Sequence, residues 1–280
     1  MRQLRLFFAM IGTLIVLPAV NVLAQPTPTP APNVHPFIVG GKPVANISDT
    51  PWQVALVDGN DSSLFQFCGG SLVAPNWVLT AAHCVDNSLV GKDPKRLDVI
   101  AGTLTYKTGG VRTDVDKIFV NPKWRQTDTQ YDFDAALLKL KIPVSVVVPI
   151  KLIAPNGILP EGPTVRVSGW GATSESGPVS EKLLFVDVPV ISNAECNKPE
   201  SYDGRVSAQM FCAGVRQGGL DSCQGDSGGP VMSTASNPTG TPELVGIVSW
   251  GFGCARKLQP GVYTRITTVS QWASDTIAGN

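Results

Sequence analysis

Short apolar runs, each bounded by turn residues, recur along this chain and limit what it can fold into. They lie at 53–57, 77–80, 97–100, 135–140, 164–167, 183–190, 244–249 and 261–264. Runs of this length, with alternation and β-branched residues, read as strands rather than helices. The 28 Gly and 23 Pro of the 280 residues supply the punctuation that many short strands need. Residues 269–277 alone read as a helix, with Ser270 and Gln271 set among Val269, Trp272 and Ile277. The expected fold is all-β with a terminal helix. There is no fixed-period repeat, and the Gly-Gly pairs lack the strand, Lys and helix of a phosphate loop.

The chain begins like an export signal. Arg2 and Arg5 make a positive start, 6–20 is mainly apolar with Pro18 near its end, and Val22-Leu23-Ala24 fits a small-residue cleavage site. The apolar run is short for a membrane span, so 1–24 is read as a signal peptide and not an anchor. Residues 25–37 begin QPTPTPAPNVHP, which favours extended polyproline geometry and builds no core. They are read as an exposed pro-segment before a globular region from Ile38 onward. Asn46-Ile47-Ser48 and Asn60-Asp61-Ser62 fit the N-glycosylation pattern.

Lys plus Arg and Asp plus Glu balance at 22 each, which gives no sign of a nucleic-acid or membrane-surface partner. Export to an oxidising compartment makes the even cysteine count readable as three disulfides. The six are Cys68, Cys84, Cys196, Cys212, Cys223 and Cys254, and spacing alone leaves all fifteen pairings open. No Cys-x-x-Cys pair is present and there are only two histidines, so a metal site is not expected.

Three segments carry chemistry. Thr80-Ala81-Ala82-His83-Cys84 sets a histidine beside a cysteine, Asp134 opens an apolar strand, and Gly225-Asp226-Ser227-Gly228-Gly229-Pro230 surrounds a serine with glycines. A serine hydroxyl needs a base within reach, and the base needs an orienting acid. Histidine suits the first task because its pKa lies near neutrality, and a buried carboxylate suits the second. Glycines let backbone N–H groups approach a developing oxyanion. His35 falls in the Pro-rich segment, so His83 is the only histidine of the globular region.

With IVGG, TAAHC, DAALLKL, GDSGGP, SWG and GVYT in that order, the chain resembles the chymotrypsin/trypsin family of serine proteases from Ile38 to about Ile277. The resemblance implies two six-stranded β-barrels, about 38–148 and 149–265, with the active site in the cleft between them. It makes His83 the general base and then acid, Asp134 its orienting acid and Ser227 the nucleophile, with the N–H groups of Gly225 and Ser227 as the oxyanion hole. Asp132 is a competitor for the acid, but the family's acid directly precedes the apolar strand. The implied disulfides are Cys68–Cys84, Cys196–Cys212 and Cys223–Cys254.

The stretch from Asp221 to Ser227 looks like the trypsin version, which puts Asp221 at the base of the specificity pocket, walled by Ser249, Trp250, Gly251 and Gly261. That implies cleavage after Arg or Lys, against chymotrypsin-like or elastase-like alternatives. The family's new N-terminus, here Ile38, would pair with Asp226. This chain departs from the trypsin pattern by carrying Phe37, instead of a basic residue, before Ile38. Residues 102–112 hold no Asp or Glu, so the calcium loop of many trypsins is not expected. The resemblance further implies protein or peptide substrates, an activating protease, protein protease inhibitors, no cofactor and, by default, a monomer.

Overall fold

In the computed structural model, residues 38–60, 63–127, 130–233 and 240–280 are described. The expected signal peptide, the expected pro-segment with Phe37, and two residues of the Asn60 sequon lie outside them. Among the described residues twelve strands form two closed antiparallel barrels of six. The first holds β1 (Gln53–Asp58), β2 (Gln66–Ala74), β3 (Trp77–Thr80), β4 (Leu97–Ala101), β5 (Val111–Val120) and β6 (Ala136–Leu140). They pair in the order β1-β2-β3-β6-β5-β4, and β4 returns to β1. The second holds β7 (Thr164–Gly169), β8 (Leu184–Ile191), β9 (Met210–Ala213), β10 (Pro230–Ser233), β11 (Glu243–Trp250) and β12 (Gly261–Arg265). Their order, β7-β8-β9-β12-β11-β10 and back to β7, repeats the first. Closure leaves neither barrel a free edge.

Alternation decides what fills each barrel. Val54 and Leu56 of β1 point into the first core with Leu72, Val78, Val99 and Leu138. The opposite face of β1, Ala55 and Val57, is equally buried, against Tyr106, Trp170 and Leu183. The strand is thus sandwiched between its own core and the second half of the chain, which is why it reads as a continuous apolar run. Val165, Val167, Val188, Val231 and Ile247 fill the second barrel.

The halves exchange their ends. Lys42–Pro43 pairs with β8, Lys42 opposite Phe185 and Pro43 opposite Leu184. The C-terminal helix α1 (Ser270–Gly279) runs back to the first barrel. There Lys139 Nζ donates to the Asn280 carbonyl, and Ile277 and Ala278 line a groove with Val73 and Ala74. Cys68–Cys84, Cys196–Cys212 and Cys223–Cys254 are joined as disulfides.

Candidate active site

His83 and Asp134 sit at the ends of first-barrel strands, and Ser227 in the segment between β9 and β10, all on the line where the barrels meet. His83 lies in a single turn, Ala82–Cys84, just past β3. The Cys84–Cys68 bridge ties that turn to β2, and Asn87 Nδ2 donates to the His83 carbonyl at 2.9 Å. Asp134 precedes β6, behind Phe133 in a left-handed conformation (φ 53°). β3 and β6 are neighbours, Thr80 opposite Ala136, so their ends bring His83 and Asp134 together. His83 N–H donates to Asp134 Oδ1 at 2.9 Å, and its Nδ1 meets Oδ2 at 2.7 Å.

The second barrel completes the grip on this acid. Ser249 Oγ, from β11, donates to Asp134 Oδ2 at 2.6 Å, and Thr264 Oγ1, from β12, donates to the Asp134 carbonyl at 3.0 Å. The carboxylate is fully buried and takes three donors, as a charge out of water requires. Asp132, two residues earlier, turns elsewhere and accepts from Ser207 Oγ at 2.5 Å. With Nδ1 committed to Asp134, the imidazole leaves Nε2 as its other working atom. Burial pulls the His83 pKa down, but the charge and hydrogen bond of Asp134 outweigh it and hold the ring above its usual 6.5.

Ser227 sits in a loop between the barrels. Its carbonyl accepts from Gly69 N–H of β2 at 2.7 Å, and the next N–H, of Gly228, donates to Val248 at 2.8 Å. Gly228 is left-handed (φ 78°), and a Cβ there would collide with Thr80 Oγ1 and lie 3.0 Å from Ala81 N. The serine loop is therefore pressed against the strand end that carries His83, and only glycine fits. Gly225, at φ 94°, is also left-handed. No carbonyl among the described residues accepts from the N–H of Gly225 or Ser227.

Beside Ser227 opens a cavity of about 190 Å³ lined by Asp221, Ser249, Trp250, Gly251 and Gly261. A Cβ on Gly261 would stand 2.7 Å from Asp221 Oδ1, so any side chain there would close the floor. Asp221 is 3% exposed. Its Oδ2 accepts from Ala255 N–H at 2.9 Å, while Oδ1 is buried without a partner among the described residues. Burial, only partly offset by backbone hydrogen bonds, pushes this carboxyl up to about 7.

Asp226 is wholly buried on the other side of the loop. It accepts from Gly171 N–H at 2.7 Å and Cys223 N–H at 2.9 Å, and burial pushes it to about 7 as well. Ile38 is buried, and the chain after it packs on the pocket segment, the Val39 carbonyl accepting from Asp221 N–H at 3.2 Å. Cys68, His83 and Cys84 cluster closely, but the two sulfurs are bonded to each other and offer no thiolate to a metal.

Two participants escaped the sequence reading. Ser249 was expected only as a pocket wall, yet it also holds Asp134. Gln66 reaches from β2 to the Gly225 carbonyl at 2.7 Å. Neither carries a local signal, because both contacts exist only once the barrels have docked.

Comparison with known proteins agrees with this geometry. The family model described as Trypsin matches residues 38–273. Trypsin 5G1 of Aedes aegypti is 40% identical over 241 residues, 85% of this chain and 84% of that protein. Cationic trypsin-3 of Rattus norvegicus is 37% identical over 246 residues, 87% of this chain and 90% of that protein. With two six-stranded barrels meeting over a histidine, an aspartate and a glycine-flanked serine, the chain belongs to the chymotrypsin/trypsin family and is a serine endopeptidase.

Proposed function

We propose that this endopeptidase is secreted as a zymogen and cuts peptide bonds after Arg or Lys, with His83, Asp134 and Ser227 as its catalytic triad. One observation carries the specificity: the buried, unpartnered Asp221 oxygen at the floor of the cavity beside Ser227. A carboxylate in that position gains a partner only from a long cationic side chain, and an apolar one would leave it unsatisfied. The walls of Gly251 and Gly261 leave room for such a chain.

The hydrogen bonds of His83 to Asp134 support the following reaction. Ser227 Oγ attacks the scissile carbonyl carbon as its proton passes to His83 Nε2, and the imidazolium formed is stabilised by Asp134 through Nδ1. The carbonyl oxygen, now negative, is received by the N–H groups of Gly225 and Ser227. His83 then gives its proton to the leaving amine as the C–N bond breaks, leaving an acyl group on Ser227. A water attacks the acyl carbon, losing a proton to His83, and the proton returns to Ser227 Oγ as the acid departs.

Activation follows from Asp226. A carboxylate buried to this degree, with two backbone donors and a pKa raised to about 7, is suited to a cation, and the α-ammonium released by cleavage before Ile38 supplies one. A pocket built around Asp221 accepts Phe37 poorly, so the activating enzyme is a different protease, one that takes an aromatic residue. The three disulfides suit an extracellular setting, and no helix among the described residues is long and apolar enough to cross a membrane. Cleavage-site profiling on a peptide library tests the reading. Cuts after Arg and Lys are expected, and a preference for Phe or Ala would refute the role of Asp221.

A further inference from the structure

Gly225 supplies one of the two N–H groups assigned to the oxyanion, and two peptide planes meet at this left-handed residue. The plane between Gln224 and Gly225 carries that N–H. Its opposite end is held by Ala172, whose N–H donates to the Gln224 carbonyl at 2.7 Å. The plane between Gly225 and Asp226 is held at its N–H by the Cys223 carbonyl, 3.0 Å away. Its carbonyl is held by the side chain of Gln66, whose Nε2 donates at 2.7 Å. These fixings differ in origin: Ala172 and Cys223 belong to the second half of the chain, whereas Gln66 is 159 residues away on β2 of the first barrel.

Gln66 is built for this contact. It is 2% exposed, and the second proton of its amide goes to the Cys68 carbonyl at 2.8 Å. Both neighbours of the nitrogen are carbonyl oxygens, which fixes the amide's orientation. The consequence is that Oε1 is buried without a partner among the described residues, 3.4 Å from where a Cβ on Gly225 would lie. An orphaned buried acceptor is unfavourable, so the side chain keeps its two donors at a cost to its own oxygen.

We propose that Gln66 is a positioning residue for the oxyanion hole: by holding the Gly225 carbonyl from the opposite barrel, it keeps the Gly225 N–H aimed at the reacting oxygen. This rests on the reading of Gly225 and Ser227 given above. Without Gln66 the plane after Gly225 keeps one fixing only, and a residue with no Cβ turns that plane easily.

The test is the Gln66→Met variant of the active enzyme, which retains shape and removes both donors. Loss of an oxyanion donor lowers kcat by about 100- to 1,000-fold; a donor that wanders is expected to lower it by about 10- to 100-fold, with KM for an Arg ester little changed. Benzamidine, which fills only the Asp221 cavity, should bind as in the wild type. An arginine-derived boronic acid, whose adduct on Ser227 places an oxygen in the hole, should weaken in step with kcat. Gln66→His, which returns an N–H donor, should recover part of both losses. Unchanged kcat and boronate affinity would overturn the proposal. So would a parallel loss of benzamidine binding, boronate binding and melting temperature, or failure of both Gln66→Met and Gln66→Leu to fold, since each marks a merely structural role. Wild type and Ser227→Ala run alongside: an inactive wild type, or an active Ser227→Ala, refutes the triad and the proposed function with it, whereas an active wild type matched by Gln66→Met refutes only the role of Gln66.

Discussion

Replacing Asp221 with Asn should make the empty enzyme more stable while crippling it. The carboxyl is 3% exposed, and burial moves its pKa from 3.8 to about 7, with the nearby charge of Asp226 adding to the rise. A raised carboxylate pKa means that the folded protein holds a proton the unfolded chain has already lost, so stability falls as pH climbs from about 4 to 7 and stays low above that. Three pKa units at about 1.4 kcal/mol each give a penalty of about 4 kcal/mol at pH 8, an upper limit because water entering the cavity softens it. Asn keeps the bond from Ala255, since its carbonyl can still accept, and carries no charge. At about 2–4 °C per kcal/mol for a domain of this size, Asp221→Asn should raise the melting temperature by up to about 16 °C at pH 8 and hardly at all at pH 4. The comparison is best made by calorimetry in a Ser227→Ala background, which prevents self-digestion; the burial of Asp226 is common to both proteins, and relief of its repulsion with Asp221 adds to the gain of the Asn variant. Benzamidine should stabilise the Asp221 protein and not the Asn one. An Asn variant that melts lower at pH 8, or a difference that ignores pH, would refute the idea that an unpartnered charge is buried there.

Other outcomes follow from the same geometry. Ser227→Ala or His83→Ala should lower kcat by several powers of ten with the melting temperature nearly unchanged, because each removes part of one cooperative unit; near-normal turnover in steady-state assays would sink the triad. Activity should fail as pH drops through the His83 pKa, and since Asp134 raises that value, the acid limb of kcat should lie above 6.5; a flat profile from pH 5 to 9 would contradict it. N-terminal sequencing of the active enzyme should find Ile38, and full activity with Gln25 still at the N-terminus would exclude the Ile38–Asp226 pairing.

The segments proposed as catalytic stand out in the sequence because their chemistry is local: GDSGGP and TAAHC need their neighbours for reasons a short window contains. The strands were legible where packing is one-sided or uniformly apolar, as at residues 97–101 and 164–169. β2 was missed because Gly69 and Gly70 interrupt it, and both are demanded by distant parts. A Cβ on Gly69 would stand 3.1 Å from Gly229 Cα, and one on Gly70 would stand 2.7 Å from Val78 Cγ1. β10 was missed because it opens on Pro230, which donates no ladder bond. The helix runs from Ser270 to Gly279 rather than over 269–277, a shift typical of helix ends. What no local window contains is the interface itself: the hold of Ser249 on Asp134 and that of Gln66 on Gly225 both join residues more than a hundred positions apart.

The hydroxyl of Ser249 on Asp134 makes catalysis a witness to the docking of two halves. The acid belongs to one barrel and one of its three donors to the other, so with Asp134 in the proposed triad a molecule whose barrels have parted should fall silent before either has melted. Turnover should therefore disappear ahead of the loss of strand structure when denaturant is raised. In a solution of such an endopeptidase, a partly opened copy would then be a substrate and no longer a protease.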